Sequence, residues 1–446
     1  MIASVLPPMA STTIAGTTFF PSPSSSIDFL TLCYHLEESV LYKTKKQHSE
    51  PTAAKNKAVE MEYQTQEIPS SIVIDILGRL PLKTILLCRR VCKAWNTMLS
   101  ENYFYMLYGG HSPTSLILQV KGPSISCLRS VCLVEAGDNS SITCRDLYIS
   151  RGSWKRVPNF RYQLGNSCNG LICLRELPSR EPVAIWNPIM GQFSFLPKPI
   201  SVSDDKVVSG FGFCSRTNKY KVLRIFHENQ VPQSQWTTEI CDFDIGIKWR
   251  RIADTPCLLP SRIPGFYLSN SLHWILDYSD STSSSDELIC CFNFMDERFW
   301  FSPAPPIFSS NRRFQHHWSN LGVLQGSLSI CSIDARAFRP DVQVWVMEEY
   351  GVTDSWVRKL SFRDPAVEWW DPHRWLQIVN VLQNGKIVIL CAHRFVLLYD
   401  PEDKSFMIMK SLNFPAIAHC PCLISLKDVV KRDSAWFSSG PSVAYL

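Results

Sequence analysis

Between residues 111 and 430 the chain never runs far without a turn signal, and this limits its fold more than any other feature. Short runs of β-formers occupy 115–120, 171–174, 183–186, 220–226, 239–243, 272–276, 288–294, 342–346, 386–391 and 395–399. Pro, Gly, Asn, Ser and Asp separate them roughly every ten residues, the pattern of an all-β closed array. The runs also repeat. A small turn precedes a strand in Cys168-Asn169-Gly170-Leu171, Ser269-Asn270-Ser271-Leu272, Leu324-Gln325-Gly326-Ser327 and Leu382-Gln383-Asn384-Gly385. An aromatic–polar–Pro turn follows in Trp186-Asn187-Pro188 and Tyr399-Asp400-Pro401, and a Trp opens a short strand at Trp154, Trp249 and Trp356. Each unit reads as a small turn, an inner strand, an outer strand with a hairpin, and a Trp-led edge strand. One such unit cannot bury both faces, so neighbours must stack around an axis, as in a β-propeller. At the usual blade length of about 40–50 residues, the region holds about six or seven blades. A pair of β-sandwiches is the alternative.

Residues 67–108 follow a different period. Pro69 and Ser70 suit a helix start. Ile72, Ile76 and Leu80 recur at i, i+4 and i+8 with Val73 and Leu77 beside them, which gives one broad apolar face. Pro81 closes this helix. A second helix is expected from Leu82, with a stripe of Ile85, Cys88, Cys92, Trp95 and Leu99 and a neighbouring stripe of Leu87, Val91 and Met98. Arg89, Arg90 and Lys93 take the remainder. A unit of this size cannot bury two stripes internally. The surplus face docks either on a partner or on the β region behind it.

Ile68-Pro69, Ile72, Ile76, Leu80-Pro81 and Val91-Cys92-Lys93-x-Trp95 resemble the F-box motif in order and spacing. The resemblance implies a three-helix unit that binds the Skp-family adaptor of cullin-based ubiquitin ligases. Ile68, Pro69, Ile72, Ile76, Leu80, Pro81, Val91, Cys92 and Trp95 are then the adaptor interface or its support. Arg89, Arg90 and Lys93 read as a solvated face or one turned to an acidic adaptor surface. The chain after 111 resembles the F-box-associated domain of the large plant F-box family, a kelch-like propeller. The residues that carry this are Ser167-Cys168-Asn169-Gly170-Leu171-Ile172, Trp186-Asn187-Pro188-x-x-Gly191, Leu196-Pro197, and Gly210-Phe211-Gly212-Phe213 with Tyr220-Lys221-Val222. The paired glycines of kelch blades are missing from the repeat. The resulting architecture is α+β and multidomain: a disordered Ser/Thr/Pro-rich tail at 1–62, an F-box helical module at 63–110, an all-β propeller at 111–430, and a C-terminal tail at 431–446.

Composition narrows the function classes. Apolar residues are 45% and charged residues 19% of the 446, enough for a large core and too little charge for a mostly disordered chain. The net charge of +5 gives no concentrated basic surface, so no nucleic-acid partner is expected. Residues 1–27 lack any charged side chain and any secretory pattern. No apolar run reaches the roughly eighteen residues of a membrane span. The 17 cysteines show no CxxC pairing, which reads as buried thiols in cytosol or nucleus.

Catalytic motifs are absent: there is no GxSxG, HExxH or phosphate-binding glycine loop. Gly210-Phe211-Gly212-Phe213 reads as a turn between strands. His316-His317 lacks further ligands at metal spacing, and Cys420-Pro421-Cys422 reads as packing thiols. No cofactor or metal is expected. Trp369, Trp370, Arg374 and Trp375 crowd one turn-like segment, which is either a client-recognition patch or aromatic packing between blades. The expected protein is a non-catalytic receptor joining adaptor, cullin scaffold and an unidentified client. The alternatives are a propeller that binds a sugar or other ligand, and an adaptor-bound scaffold without ligase activity.

Overall fold

The computed structural model describes residues 69–80, 82–100, 104, 115–121, 128–136, 142–148, 161–199, 207–227, 236–243, 248–252, 255, 259, 265–276, 289–306, 317–334, 341–363, 376–382, 384–391, 395–411, 416–430 and 437–439. Three short helices come first: α1 (Ser70–Gly78), α2 (Leu82–Cys88) and α3 (Lys93–Met98). The strands then follow in groups. Blade 1 takes β1 (Ser115–Lys121), β2 (Leu128–Ala136) and β3 (Ile142–Tyr148). Blade 2 takes β4 (Arg161–Cys168), β5 (Leu171–Leu177), β6 (Pro182–Asn187) and β7 (Gln192–Phe195). Blade 3 takes β8 (Val208–Cys214), β9 (Lys219–His227), β10 (Trp236–Asp242) and β11 (Trp249–Arg251). Blade 4 takes β12 (Phe266–Leu268), β13 (Ser271–Ile275), β14 (Ile289–Asn293) and β15 (Arg298–Ser302). Blade 5 takes β16 (His317–Leu324), β17 (Ser327–Asp334), β18 (Asp341–Met347) and β19 (Trp356–Arg363). Blade 6 takes β20 (Leu376–Val381), β21 (Ile387–Cys391), β22 (Phe395–Asp400) and β23 (Ser405–Ser411). Last come β24 (Ala416–His419), α4 (Leu426–Val430) and β25 (Phe437–Ser439).

Five sheets are built around four consecutive strands, and β24 returns to pair with β1 and complete the sheet of blade 1. The ring is thereby closed by both ends of the β region, which rules out the sandwich alternative. β25, inside the stretch expected as a tail, pairs with β7 as a fifth strand on the outer edge of blade 2. The core is distributed between blades. Each of the six seams holds its own apolar cluster, as where Leu116 of β1 packs with Leu390 and Leu398 of blade 6.

Three of the four repeated small turns are hairpin turns in which consecutive residues take positive φ: Asn169 and Gly170 at 46° and 74°, Ser269 and Asn270 at 48° and 61°, Gln325 and Gly326 at 50° and 81°. Such turns match the twist of the strands they join. They connect the innermost strand of a blade to the second one, so the repeat begins one strand earlier than the sequence pattern suggests. The innermost strands are hard to read because they lack alternation. Gly210-Phe211-Gly212-Phe213, expected as a turn, is the middle of β8. Its glycines leave room for blade 4. A Cβ on Gly210 would lie 2.3 Å from Leu272 Cδ1, and one on Gly212 would lie 2.0 Å from Phe294 Cε2.

Polar side chains stitch these inner strands together. Asn166 of blade 2 donates to the Phe211 carbonyl at 2.6 Å and accepts from the Phe211 N–H at 2.9 Å. Tyr267 of blade 4 donates to Phe213 of blade 3 at 2.8 Å, and Asn320 of blade 5 donates to Leu376 of blade 6 at 3.3 Å. In each case an edge backbone group that faces no further strand gains a partner.

The single second helix expected from Leu82 to Leu99 is divided. Cys92 is extended, and its Sγ accepts the Trp95 N–H at 3.4 Å, so it caps α3 instead of continuing α2. The three-helix form implied by the motif resemblance is therefore the one observed.

Candidate functional site: the exposed face of the helical unit

The apolar residues of α1, with Leu80 just after it, part into two faces. Val73, Leu77 and Leu80 turn inward, and Leu77 is fully buried. They join Ile85, Cys88, Trp95, Leu99 and Phe104 in a cluster continuous with Ile117 of blade 1 and Leu174, Trp186 and Phe193 of blade 2. The helical unit thus shares a core with the propeller, and one of its faces does pack on the β region. Ile72 and Ile76, one turn apart, face outward at 50% and 44% exposure. Leu87 of α2 adds a third exposed apolar side chain at 50%. Pro69 and Ser70 are exposed at the start of the same helix. Asp75 and Arg79 pair across one turn of it at 2.9 Å, both largely solvated.

The positions matched to the motif therefore divide by environment. Pro69, Ile72 and Ile76 are at the surface; Leu80, Val91 and Cys92 are half-buried against the shared core; Trp95 is buried within it. Ile68 and Pro81 lie outside the described residues. Leu87 falls on the same sequence stripe as Val91 and Met98, but those two are half-buried against the shared core and Leu87 alone of the three is exposed. Arg89, expected in solvent, is half-buried. It donates to Asn96 Oδ1 at 3.0 Å, Ser100 Oγ at 3.1 Å and Met190 Sδ of blade 2 at 3.3 Å. Arg90 and Lys93 are exposed.

A large exposed aliphatic face on a small helix bundle is costly in water. Full burial of an Ile or Leu side chain is worth about 1.5–3 kcal/mol, and that free energy is available to a partner with a matching groove.

The other sequence candidates are placed less informatively. Trp369, Trp370, Arg374 and Trp375 lie outside the described residues, between Arg363 of β19 and Leu376 of β20. His317 opens β16, and His316 lies outside the described residues. Cys422 is buried as a free thiol. Among the described residues no three His, Cys, Asp or Glu side chains gather as a metal site, and no helix is long and apolar enough to cross a membrane.

The seam between blades 2 and 3 holds buried charge. Arg224, fully buried, bonds Glu181 through Nε and Nη2 at 3.1 and 2.5 Å and Glu239 through Nη1 at 2.6 Å. Burial pushes the Glu181 carboxyl up, and the Arg224 contact works against that shift. Arg175, also buried, donates from Nη2 to Gln163 Oε1 at 3.3 Å, while among the described residues its Nε and Nη1 have no hydrogen-bond partner. Burial pushes its guanidinium down to about 10.

Two family models cover the chain. One described as F-box-like matches residues 65–106, and one described as an F-box associated beta propeller domain matches residues 136–423. Relatives extend over most of both chains. F-box protein At3g07870 of Arabidopsis thaliana is 24% identical over 377 residues, covering 76% of this chain and 87% of its own. F-box/kelch-repeat protein At3g23880 of the same plant is 26% identical, covering 77% and 90%. F-box protein CPR1, again from Arabidopsis thaliana, is 26% identical, covering 81% and 87%. The helical unit with its outward apolar face, the propeller behind it and the two matched models lead to one assignment: the chain belongs to the F-box proteins that carry an F-box-associated β-propeller domain.

Proposed function

We propose that this protein is the substrate-recognition subunit of a Skp–cullin–F-box ubiquitin ligase. The observation that carries the reading is the outward face of Ile72, Ile76 and Leu87 on a unit whose other apolar side chains, Val73, Leu77, Leu80 and Ile85 among them, join the core shared with the propeller. An F-box implies binding of a Skp-family adaptor, and that face is the apolar surface left to meet it. The adaptor brings the cullin scaffold; the propeller holds a client protein. Ubiquitin transfer is then accelerated by the raised effective concentration of the client's lysine, and no side chain of this chain needs to act as acid, base or nucleophile. The client contact is assigned to Trp369, Trp370, Arg374 and Trp375, and the site of action to cytosol or nucleus.

The test is a reconstituted ligase containing this protein, adaptor, cullin and the ubiquitin-charged enzyme. Ubiquitylation of a co-purifying protein that depends on Ile72 and Ile76 supports the reading. Adaptor binding without cullin recruitment returns the protein to a scaffold role.

A further inference from the structure

Three blades end their third strand with the same device. Asn187, Asn293 and Asp400 each accept, through Oδ1, the N–H two residues on: Ile189 at 3.0 Å, Met295 at 2.7 Å and Glu402 at 3.0 Å. This is the ordinary way an Asn or Asp closes a tight turn. In blade 6 the turn is exposed and Asp400 pairs with Lys386 at 3.0 Å. In blade 2 the same turn is put to a second use. Asn187 is fully buried and accepts a second N–H, from Met190, at 3.1 Å. Its Nδ2 donates to the carbonyls of Ile424 at 2.7 Å and Cys422 at 3.3 Å, which tie down the chain that leaves β24. The residues on either side of Asn187 face the helical unit. Trp186 stacks on Phe193 with ring centroids 5.6 Å apart and lies in the cluster that includes Leu77, Ile85 and Trp95. Met190 receives Arg89.

Resting on the receptor reading, we infer that the turn at 186–191 is the joint that sets the angle between the docking face and the propeller. Asn187 and Arg89 are its positioning residues. Asn187 holds the turn and the closing chain in one arrangement, and Arg89 carries that arrangement across to α2 and α3. The receptor presents its client in one orientation because this joint has one. Neither residue touches client or ubiquitin.

The experiment uses the full chain bound to adaptor, with non-cysteine labels encoded at the exposed positions Thr97 and Arg358. Distance distributions between the labels are compared for the parent, Arg89→Gln, Asn187→Asp and the matched turn variant Asp400→Ala. The parent is expected to give one narrow distribution, unlike the loose coupling common between domains. Arg89→Gln and Asn187→Asp widen it about two-fold while adaptor capture persists, and Asp400→Ala leaves it narrow. A broad distribution in the parent overturns the inference, as does a narrow one in Arg89→Gln. The latter variant decides alone if Asn187→Asp does not fold. Failure of the parent to capture adaptor overturns the receptor reading instead, and the same labels then report the joint in the free protein.

Discussion

The indole Nε1 of Trp249 donates to the carbonyl oxygen of Pro197 at 2.8 Å, joining the edge strand of blade 3 to the end of blade 2. Trp356 repeats the arrangement two blades on, donating to Pro303 of blade 4 at 2.9 Å. Both indoles are buried, so each bond satisfies a donor and an acceptor that water does not reach. Trp249→Phe keeps most of the packing and removes the bond, at an expected cost of about 1 kcal/mol. Trp356→Phe should cost about the same, and the double variant should cost the sum, since the two seams share no partner. Urea midpoints of the three variants check this; a strongly non-additive result would mean that the seams open together.

Glycine in the inner strands is a matter of space. Gly212→Ala places a methyl where the Phe294 ring stands, and that ring is fully buried against Phe292 at 5.3 Å between centroids. Overpacking of this kind costs about 1–3 kcal/mol. Gly322→Ala meets Ser329 Oγ at 3.3 Å and should cost less. Thermal unfolding of the two variants ranks them.

His273 connects blades 4 and 5. Its Nδ1–H donates to the Phe266 carbonyl at 3.0 Å, and Nε2 lies 2.8 Å from the Tyr350 hydroxyl, whose O–H it accepts when the ring is neutral. Burial pushes its pKa down to about 4, and that of His419 to about 3. The unfolded chain takes up these protons first, near the ordinary value of 6.5. Stability is therefore complete above that pH and falls as the pH drops toward the folded values, by about 1.4 kcal/mol per pH unit for each histidine. His273→Asn should flatten the slope between about pH 6 and 4.5 by that amount. An unchanged slope would show that His273 is protonated in the fold.

Arg175 carries buried nitrogens without partners, and an uncompensated buried charge destabilises a fold. Arg175→Met, which fills similar space without charge, should stabilise the protein by about 1 kcal/mol or more. A lower urea midpoint would show that the guanidinium has an acceptor in solution.

What could be read from the sequence is what local chemistry determines. The Asn169-Gly170 and Gln325-Gly326 turns announce themselves because few other residues tolerate positive φ at consecutive positions. The second strands announce themselves by continuous apolar runs, as in β21, where every residue is buried. The inner strands do not, because their neighbours lie in other blades: β8 needs glycine to admit Leu272 and Phe294, and β4 needs Asn166 to bond the backbone of β8. Ring closure by β24 joins residues about 300 apart, as Ser115 and His419 are, and no local pattern encodes that pairing. In the sequence Ile72 and Ile76 belong to a single broad apolar stripe of α1; only the burial of Leu77, with Val73 beside it, in the core shared with the propeller sets them apart as the outward face.

Co-purification of the chain with a Skp-family adaptor, beside an Ile76→Arg variant, tests the central claim most directly. Ile76 is exposed, so the variant should unfold within about 0.5 kcal/mol of the parent. The account predicts stoichiometric capture by the parent and loss of capture by this equally stable variant. Capture that survives Ile76→Arg, or a folded parent that captures nothing, would contradict it.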